Sequence, residues 1–408
     1  MVLKLLIIST LFYTSFGQHR REHTYACSER SALLLLKRPA YEFSMNILDR
    51  VAQNENAHFI FSPLSTWLQL SALAEGAKGR TFRELWSLTK HHRNRCFKLK
   101  LRRLLRNHIT ELRDEYRGKS IIVIDKYIGV KKQYIRDVQK FYGVKVLLKN
   151  FDYPETSASE VNSYISNGTN GGIVESIYAD DFDRKTMSLL LSDNVLFRST
   201  WRFPFSSDFT NIESFQSSDG GYLGNVNMMS VTGYFNMTEM RFINAKVIEI
   251  PCIGDFSMLV LLPLQNNTWV GDTFFYLKRT TLSSIFNRFK AEGVKSVNVK
   301  LPRFKINSTV DNLAELLFDM GLKNVFNPNL ADLSHISNYN LYASLITQVA
   351  DIEVIEQGVS AEASPGSMMI NSSYKIDFFA NRPFAYMVVD RKTQFILFAG
   401  TYSIPSVY

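Results

Sequence analysis

The sequence predicts a mixed α+β domain, and three observations carry that expectation. Apolar residues recur at helical spacing in the first third of the chain, strand-length apolar runs fill the rest, and no Pro/Gly/Ser-rich stretch separates the two. At 408 residues, length alone would favour two domains. Without a linker, repeat or low-complexity tract, one domain over residues 39–408 is the better reading. With 46% hydrophobic and 13% aromatic residues the chain can bury a large core, and its composition is not that of a disordered protein.

The elements follow in order. Residues 1–17 set Lys4 ahead of an apolar run from Leu5 to Phe12 and then Ser15-Phe16-Gly17, the pattern of a secretory signal peptide cleaved after Gly17. The run is too short for a bilayer span, which disfavours the alternative of an anchor, and no later run approaches spanning length. The expectation is a secreted, extracellular protein with an N-terminal arm at residues 18–38. Residues 39–52 read as a first amphipathic helix, and residues 62–75 as a second that starts on Ser62-Pro63. Phe97, Leu101, Leu104, Leu105, Ile109 and Leu112 step by three and four and form a third. Residues 121–130, 189–197, 256–262 and 296–301 are strand-like, and residues 310–320 are helical. From Val359, small residues at Ala361 and Ala363 alternate with Ser360, Glu362 and Ser364, the period of a strand with one buried face, although the stretch sits where a loop is expected.

Three cysteines cannot all pair within one chain. Cys27, on the arm, is the candidate for a link to another molecule, with a free thiol as the alternative; Cys96 and Cys252 complete the set. Asn-x-Ser/Thr sequons begin at Asn167, Asn236, Asn266, Asn307 and Asn371, and each is a candidate glycan site in a secreted chain, with about two to four of them expected to be used. No HExxH, GxSxG, Walker or paired-carboxylate pattern argues for an enzyme, and no cofactor is implied. His91-His92 lacks a neighbouring cysteine or acid to complete a metal site.

Ordered motifs carry a resemblance. Phe61-Ser-Pro-Leu-Ser65 and Ala74-Glu-Gly-Ala-Lys-Gly79 come first, then Asp193-Asn-Val-Leu-Phe-Arg-Ser-Thr-Trp201 with Pro204 and Phe205. Met228-Met229, Pro251, Phe256 to Pro263, Leu301-Pro-Arg-Phe304, Met320-Gly-Leu322 and Ala331-Asp-Leu-Ser334 follow, and Phe395 to Gly400 with Pro405 closes the series. In that order, from about Pro39 to Pro405, they resemble the serpin family of serine protease inhibitors. The resemblance implies helices packed on three β-sheets, with an exposed reactive-centre loop over about residues 358–377. It also implies that a target protease cleaves the loop, which then inserts into the sheet as a new strand and traps the acyl-enzyme, so no catalytic group belongs to this chain.

Under that resemblance, Glu356, Gly358, Val359, Ala361, Ala363 and Pro365 form the hinge. The family's usual distance from Gly358 sets the bait bond at Ser372-Ser373, within a residue or two, which suits a protease with a small-residue or elastase-like pocket. Pro365 has no N–H to donate and is disfavoured in a central strand. The glycan site at Asn371, one residue before the bait, would obstruct a docking protease. At the sheet's opening, Ser62, Ser65 and Trp201 match the family, whereas Asp193 and Gln348 stand where it commonly keeps asparagine and histidine. A buried carboxylate there must find donors or neutralise, and Ser62, Ser65 and Gln348 are candidate partners.

Between residues 90 and 106 lie eight cations and no acid. Arg95, Lys98, Arg102 and Arg106 share one helix face, with Arg103 beside them. The family's corresponding helix binds heparin-like glycosaminoglycans in several members, and a net charge of +9 would assist polyanion capture; the alternative is a solvated cationic face. Two functions stay open: a monomeric inhibitor of an extracellular serine protease, or a non-inhibitory binding, carrier or polyanion-binding protein.

Overall fold

A computed structural model describes residues 26–90, 94–111, 116–182, 188–265, 267–359 and 375–408. Helix α1 (Glu29–Asn54) begins where the Ser28 hydroxyl accepts the Ser31 backbone N–H at 3.1 Å, satisfying one of the orphan donors of a helix start. The helix therefore takes in part of the residues assigned to the N-terminal arm, and Pro39 lies inside it. A proline there costs about 3 kcal/mol in an isolated helix. Burial of Ala32 and Leu36 on the preceding turns offsets it. Residues 1–17 and 18–25 lie outside the described part.

Strand β1 (Phe59–Phe61) leads into α2 (Pro63–Gly76), capped by Ser62 and buried at every residue but Glu75. Next come α3 (Gly79–Thr89), α4 (Arg95–Glu111), β2 (Tyr116–Asp125), α5 (Lys132–Tyr142), β3 (Lys145–Lys149) and α6 (Pro154–Gly168). Then the chain turns to strands: β4 (Ser188–Phe197), β5 (Ser199–Thr200), β6 (Asn211–Gln216), β7 (Tyr222–Met240), β8 (Ala245–Pro251) and β9 (Phe256–Pro263). Two helices, α7 (Thr273–Leu277) and α8 (Leu282–Glu292), precede β10 (Val294–Pro302) and β11 (Phe304–Val310). The last part holds α9 (Leu313–Asp319), β12 (Tyr342–Ile355), β13 (Gly358–Val359), β14 (Ile376–Phe379), β15 (Phe384–Asp390) and β16 (Ile396–Tyr402).

By continuous hydrogen bonding the described strands form two sheets rather than the three expected. One runs β1-β16-β15-β9-β8-β7-β10-β14 with β6 on β7; the other runs β3-β2-β4-β12-β13-β5 with β11 on β12. The physical reason is β7, which changes partners along its length. It pairs with β6 over residues 222–228, β10 over 228–236 and β8 over 236–240, so one long strand joins two groups that would otherwise count separately.

The main core gathers α1, α2 and the inner faces of both sheets. A smaller core packs Val161 and Ile165 of α6 on Ile121, Val123 and Leu190. Helix α2 touches β2, β4 and β16. The seven-stranded sheet is thus covered by α2 on one face and α6 on the other, and its central seam is β4 against β12.

Candidate functional site at the central seam

β4 and β12 pair directly and in parallel, from Ser188 opposite Tyr342 to Leu196 opposite Asp351. Beyond Asp351 the two separate, and β13 fills the space. Gly358 and Val359 pair antiparallel with Ile355 and Val354 on one side and with Thr200 and Ser199 on the other. The chain thus enters the sheet by two residues, turning on Glu356 and Gln357. Only glycine fits at 358, because a Cβ there would lie 2.1 Å from the Ser199 carbonyl oxygen. Val359 is fully buried.

Trp201 fastens this turn. Its backbone N–H donates to the Gln357 carbonyl at 3.0 Å and its indole Nε1 to the Ile355 carbonyl at 2.9 Å. Glu356 is buried; its carboxylate accepts from Thr210 Oγ1 at 2.8 Å and lies 3.5 Å from Arg303 Nη1, while its carbonyl accepts from Phe205 N at 2.9 Å. Thr210 and Arg303 were not picked out from sequence, although Arg303 lies within the Leu301-Pro-Arg-Phe304 motif.

Deeper in the seam, Ser120, Asp193 and Gln348 align across β2, β4 and β12. Gln348 makes its hydrogen bonds to the start of α2. Its Oε1 accepts from Ser62 N at 2.5 Å, and its Nε2 donates to the Ser62 carbonyl at 3.0 Å and to Thr66 Oγ1 at 2.9 Å, so it bonds β12 to the start of α2. Ser62 Oγ donates instead to the Leu397 carbonyl at 2.6 Å and accepts from Ser65 N at 3.3 Å. Asp193 is fully buried, and neither carboxyl oxygen meets a donor in hydrogen-bonding geometry. Burial pushes its pKa up to about 7, outweighing the opposing pull of the Ser120, Ser65 and Gln348 side chains. Of the expected partners, Ser65 and Gln348 pull against the shift and Ser62 is engaged elsewhere, but burial outweighs them.

The basic helix is less free than its sequence suggests. Phe97, Leu101, Leu105 and His108 of α4 are buried, and Lys98 and Arg102 on the flank turn toward Glu75 of α2. Lys98 Nζ lies 3.0 Å from Glu75 Oε2, Arg102 Nη2 pairs with the same oxygen, and the Tyr142 hydroxyl donates to Oε1 at 2.7 Å. Burial alone would raise the Glu75 carboxyl, but Lys98, Arg102 and Tyr142 outweigh it and hold it below the ordinary carboxylate range. Two of the five expected polyanion contacts are therefore spent inside the fold. Arg95, Arg103 and Arg106 are exposed, with Arg103 only 3.8 Å from Glu29.

The cysteines also differ from expectation. Cys27 pairs with Cys96 within the chain, because α1 packs along α4 and brings their starts together. Cys252 is free and buried, its thiol pushed up to about 12. Among the sequons, Asn167 and Asn307 are exposed, whereas the Asn236 amide donates to Glu249 at 2.8 Å inside the nine-stranded sheet. Ala361, Ala363, Pro365, Asn266, Asn371, Ser372, Ser373 and His91-His92 lie outside the described residues. No group of metal-binding residues occurs among the described residues, and no helix there is long and apolar enough to cross a membrane.

Comparison with known proteins agrees with this geometry. The family model described as "Serpin (serine protease inhibitor)" matches residues 39–405. Human Serpin B4 is 26% identical over 389 residues, covering 89% of this chain and 98% of the relative. Rat serine protease inhibitor A3L is 27% identical over 416 residues, covering 97% and 93%. Among solved structures, native protease nexin-1 with heparin superposes with a TM-score of 0.80 at 22% identity, over 92% of this chain and all of that one. Serpin48 of the insect Tenebrio molitor does so at 0.75 and 26%, over 90% and 98%. With a family model spanning almost the whole chain and the fold shared over the same length, this protein belongs to the serpin family.

Proposed function

We propose that this serpin is secreted and inhibits an extracellular serine endopeptidase, by offering the bond near Ser372-Ser373 and inserting the cut loop between β4 and β12. The observation that carries the reading is the entry of Gly358 and Val359 between β12 and β5, which aligns the rest of the loop with the seam. Continued downward, both registers bring residue 365 opposite Asp193 on β4 and Gln348 on β12, and those two already face each other. The agreement of two independent registers supports insertion without a slip. Ala361 and Ala363 then share the α2-facing side with Val359, where small residues fit beneath the helix. An intrachain disulfide supports an oxidising, extracellular compartment. We assign the chain no catalytic step and no cofactor.

A second reading, a non-inhibitory binding protein, draws on the same registers. Trp201 N bonding to the Gln357 carbonyl fixes the hydrogen-bond phase, so odd-numbered loop residues donate toward β5 and then β4. Pro365 would arrive where an N–H is owed to the Asp193 carbonyl, and it has none. Polyanion binding belongs to either reading, through Arg95, Arg103 and Arg106, with Lys98 and Arg102 contributing only if they leave Glu75. The test is a panel of elastase-, chymotrypsin- and trypsin-like proteases followed by denaturing gels and N-terminal sequencing. A gel-stable complex with cleavage at Ser372 or a neighbour supports inhibition. Cleavage without complex, and without a gain in heat stability, supports the binder.

A further inference from the structure

The segment after β16 runs back to the base of the loop. Ser403 and Ile404 donate their backbone N–H groups to His58 Nδ1 at 3.2 and 3.1 Å, and Ser406 donates to the Tyr402 hydroxyl at 3.1 Å. Tyr408 then meets three elements at once. Its carbonyl accepts from Arg303 Nε at 2.6 Å and from Asn227 Nδ2 of β7 at 2.7 Å, its hydroxyl donates to Glu353 of β12, and its ring lies 6.0 Å from the Arg303 guanidinium. Ile404 and Val407 are exposed and Tyr408 is 41% exposed, so directed hydrogen bonds rather than burial hold this end.

Arg303 is the shared member. One edge of its guanidinium is held by Tyr408, and another nitrogen faces the buried Glu356 carboxylate at the turn into the hinge. A planar fork with five fixed donors is pre-oriented for a second acceptor once the first is in place. We propose that Tyr408 is a positioning residue for the base of the loop. By gripping Glu353 and Arg303 together it fixes Arg303 on Glu356 and holds the Glu356–Gln357 turn in place. If the loop inserts as proposed above, release of this grip is a step on the way, and Tyr408 sets its rate; the local grip itself does not depend on that reading.

Hydrogen–deuterium exchange on the full-length protein tests it, because the Trp201 and Phe205 amides donate to the Gln357 and Glu356 carbonyls and so report on the turn. In Tyr408→Phe, which loses the hydroxyl but keeps the ring against Arg303, those amides should exchange about threefold faster, and in Tyr408→Ala, which loses both, about tenfold faster. Amides of β15 and β16 should not change. Wild-type rates at Trp201 and Phe205 in both variants would overturn the proposal, as would a rise spread evenly over the molecule. Annealing of a synthetic peptide of residues 358–372, read by native gel shift, should speed up in the same order, and an unchanged rate would remove the link to insertion. Heat stability of the loop-cleaved wild-type protein reads the insertion reading separately. If cleavage brings no gain, that reading fails while the exchange result still decides the role of Tyr408.

Discussion

Replacing Asp193 by asparagine should make the protein more stable at neutral pH and remove a pH dependence that the wild type carries. The carboxyl has an ordinary pKa of 3.8 and is pushed up to about 7 by full burial in the seam. A folded-state pKa raised in an acid means that the folded protein binds the proton more tightly than the unfolded chain. The stabilisation is therefore complete below about pH 4, is lost as the pH rises toward 7, and is constant above. The span of roughly 3 pKa units, at about 1.4 kcal/mol each, sets a difference of about 4 kcal/mol between the two limits. Asparagine matches the neutral acid in shape and never ionises. The Asp193→Asn variant should thus equal the wild type near pH 4 and exceed it by several kcal/mol at pH 8. Urea or thermal unfolding of both proteins at half-unit steps from pH 5 to 8.5 measures the gap. Over that range it should widen by about 3 kcal/mol and level off near pH 7. A gap that stays constant with pH would refute the reasoning, for it would mean that Asp193 finds its donors and is ionised throughout.

Four other expectations follow from the same geometry. Pro365→Ala restores an N–H opposite the Asp193 carbonyl; the loop-cleaved form should gain about 1–3 kcal/mol, read as a larger rise in melting temperature on cleavage. Replacing both Cys27 and Cys96 by serine opens a cross-link between residues 69 apart and should cost about 2–4 kcal/mol, with amide exchange rising first at the start of α1. Glu75→Gln should release Lys98 and Arg102, raise the salt concentration needed to elute the protein from immobilised heparin, and lower stability by about 1–3 kcal/mol. Mass spectrometry of secreted protein should find glycan on Asn167 and Asn307 and none on Asn236, whose amide is engaged by Glu249.

The sequence made the long helices and central strands legible because their signals are local. The apolar steps of Phe97, Leu101 and Leu105, and the run from Leu189 to Phe197, mark α4 and β4 to within a few residues. The start of α1 was hidden by Pro39, read as a boundary, because its cost is offset by burial that only tertiary packing reveals. Glu356, Gly358, Val359 and Trp201, singled out by motif, come together where β13 enters the sheet. What the motif could not carry was direction: Gln348 bonds to the start of α2, and Lys98 and Arg102 turn to Glu75. Side-chain choices of this kind depend on a neighbour brought in from elsewhere in the chain. Tyr408 offers no sequence signal at all, since its role comes from where the chain returns after β16.

The turn at Glu356 and Gln357 also bears on the order in which the chain folds. β12 and β13 are joined by that turn alone, whereas β4 and β12 must find each other across most of the sheet-forming sequence and pair in parallel. Local hairpins zip in microseconds, while pairing between distant segments waits on closure of a long loop. Left to that race, the hairpin would run on past Val359 and occupy the edge of β12 before β4 arrived. Pro365 would not halt that hairpin, because in this register its missing N–H lies on the edge turned toward β4 and not toward β12. The proline acts only later, when β4 closes on the other side of the strand, so Pro365→Ala should leave the rate of refolding unchanged and stabilise only the form in which the loop lies between β4 and β12.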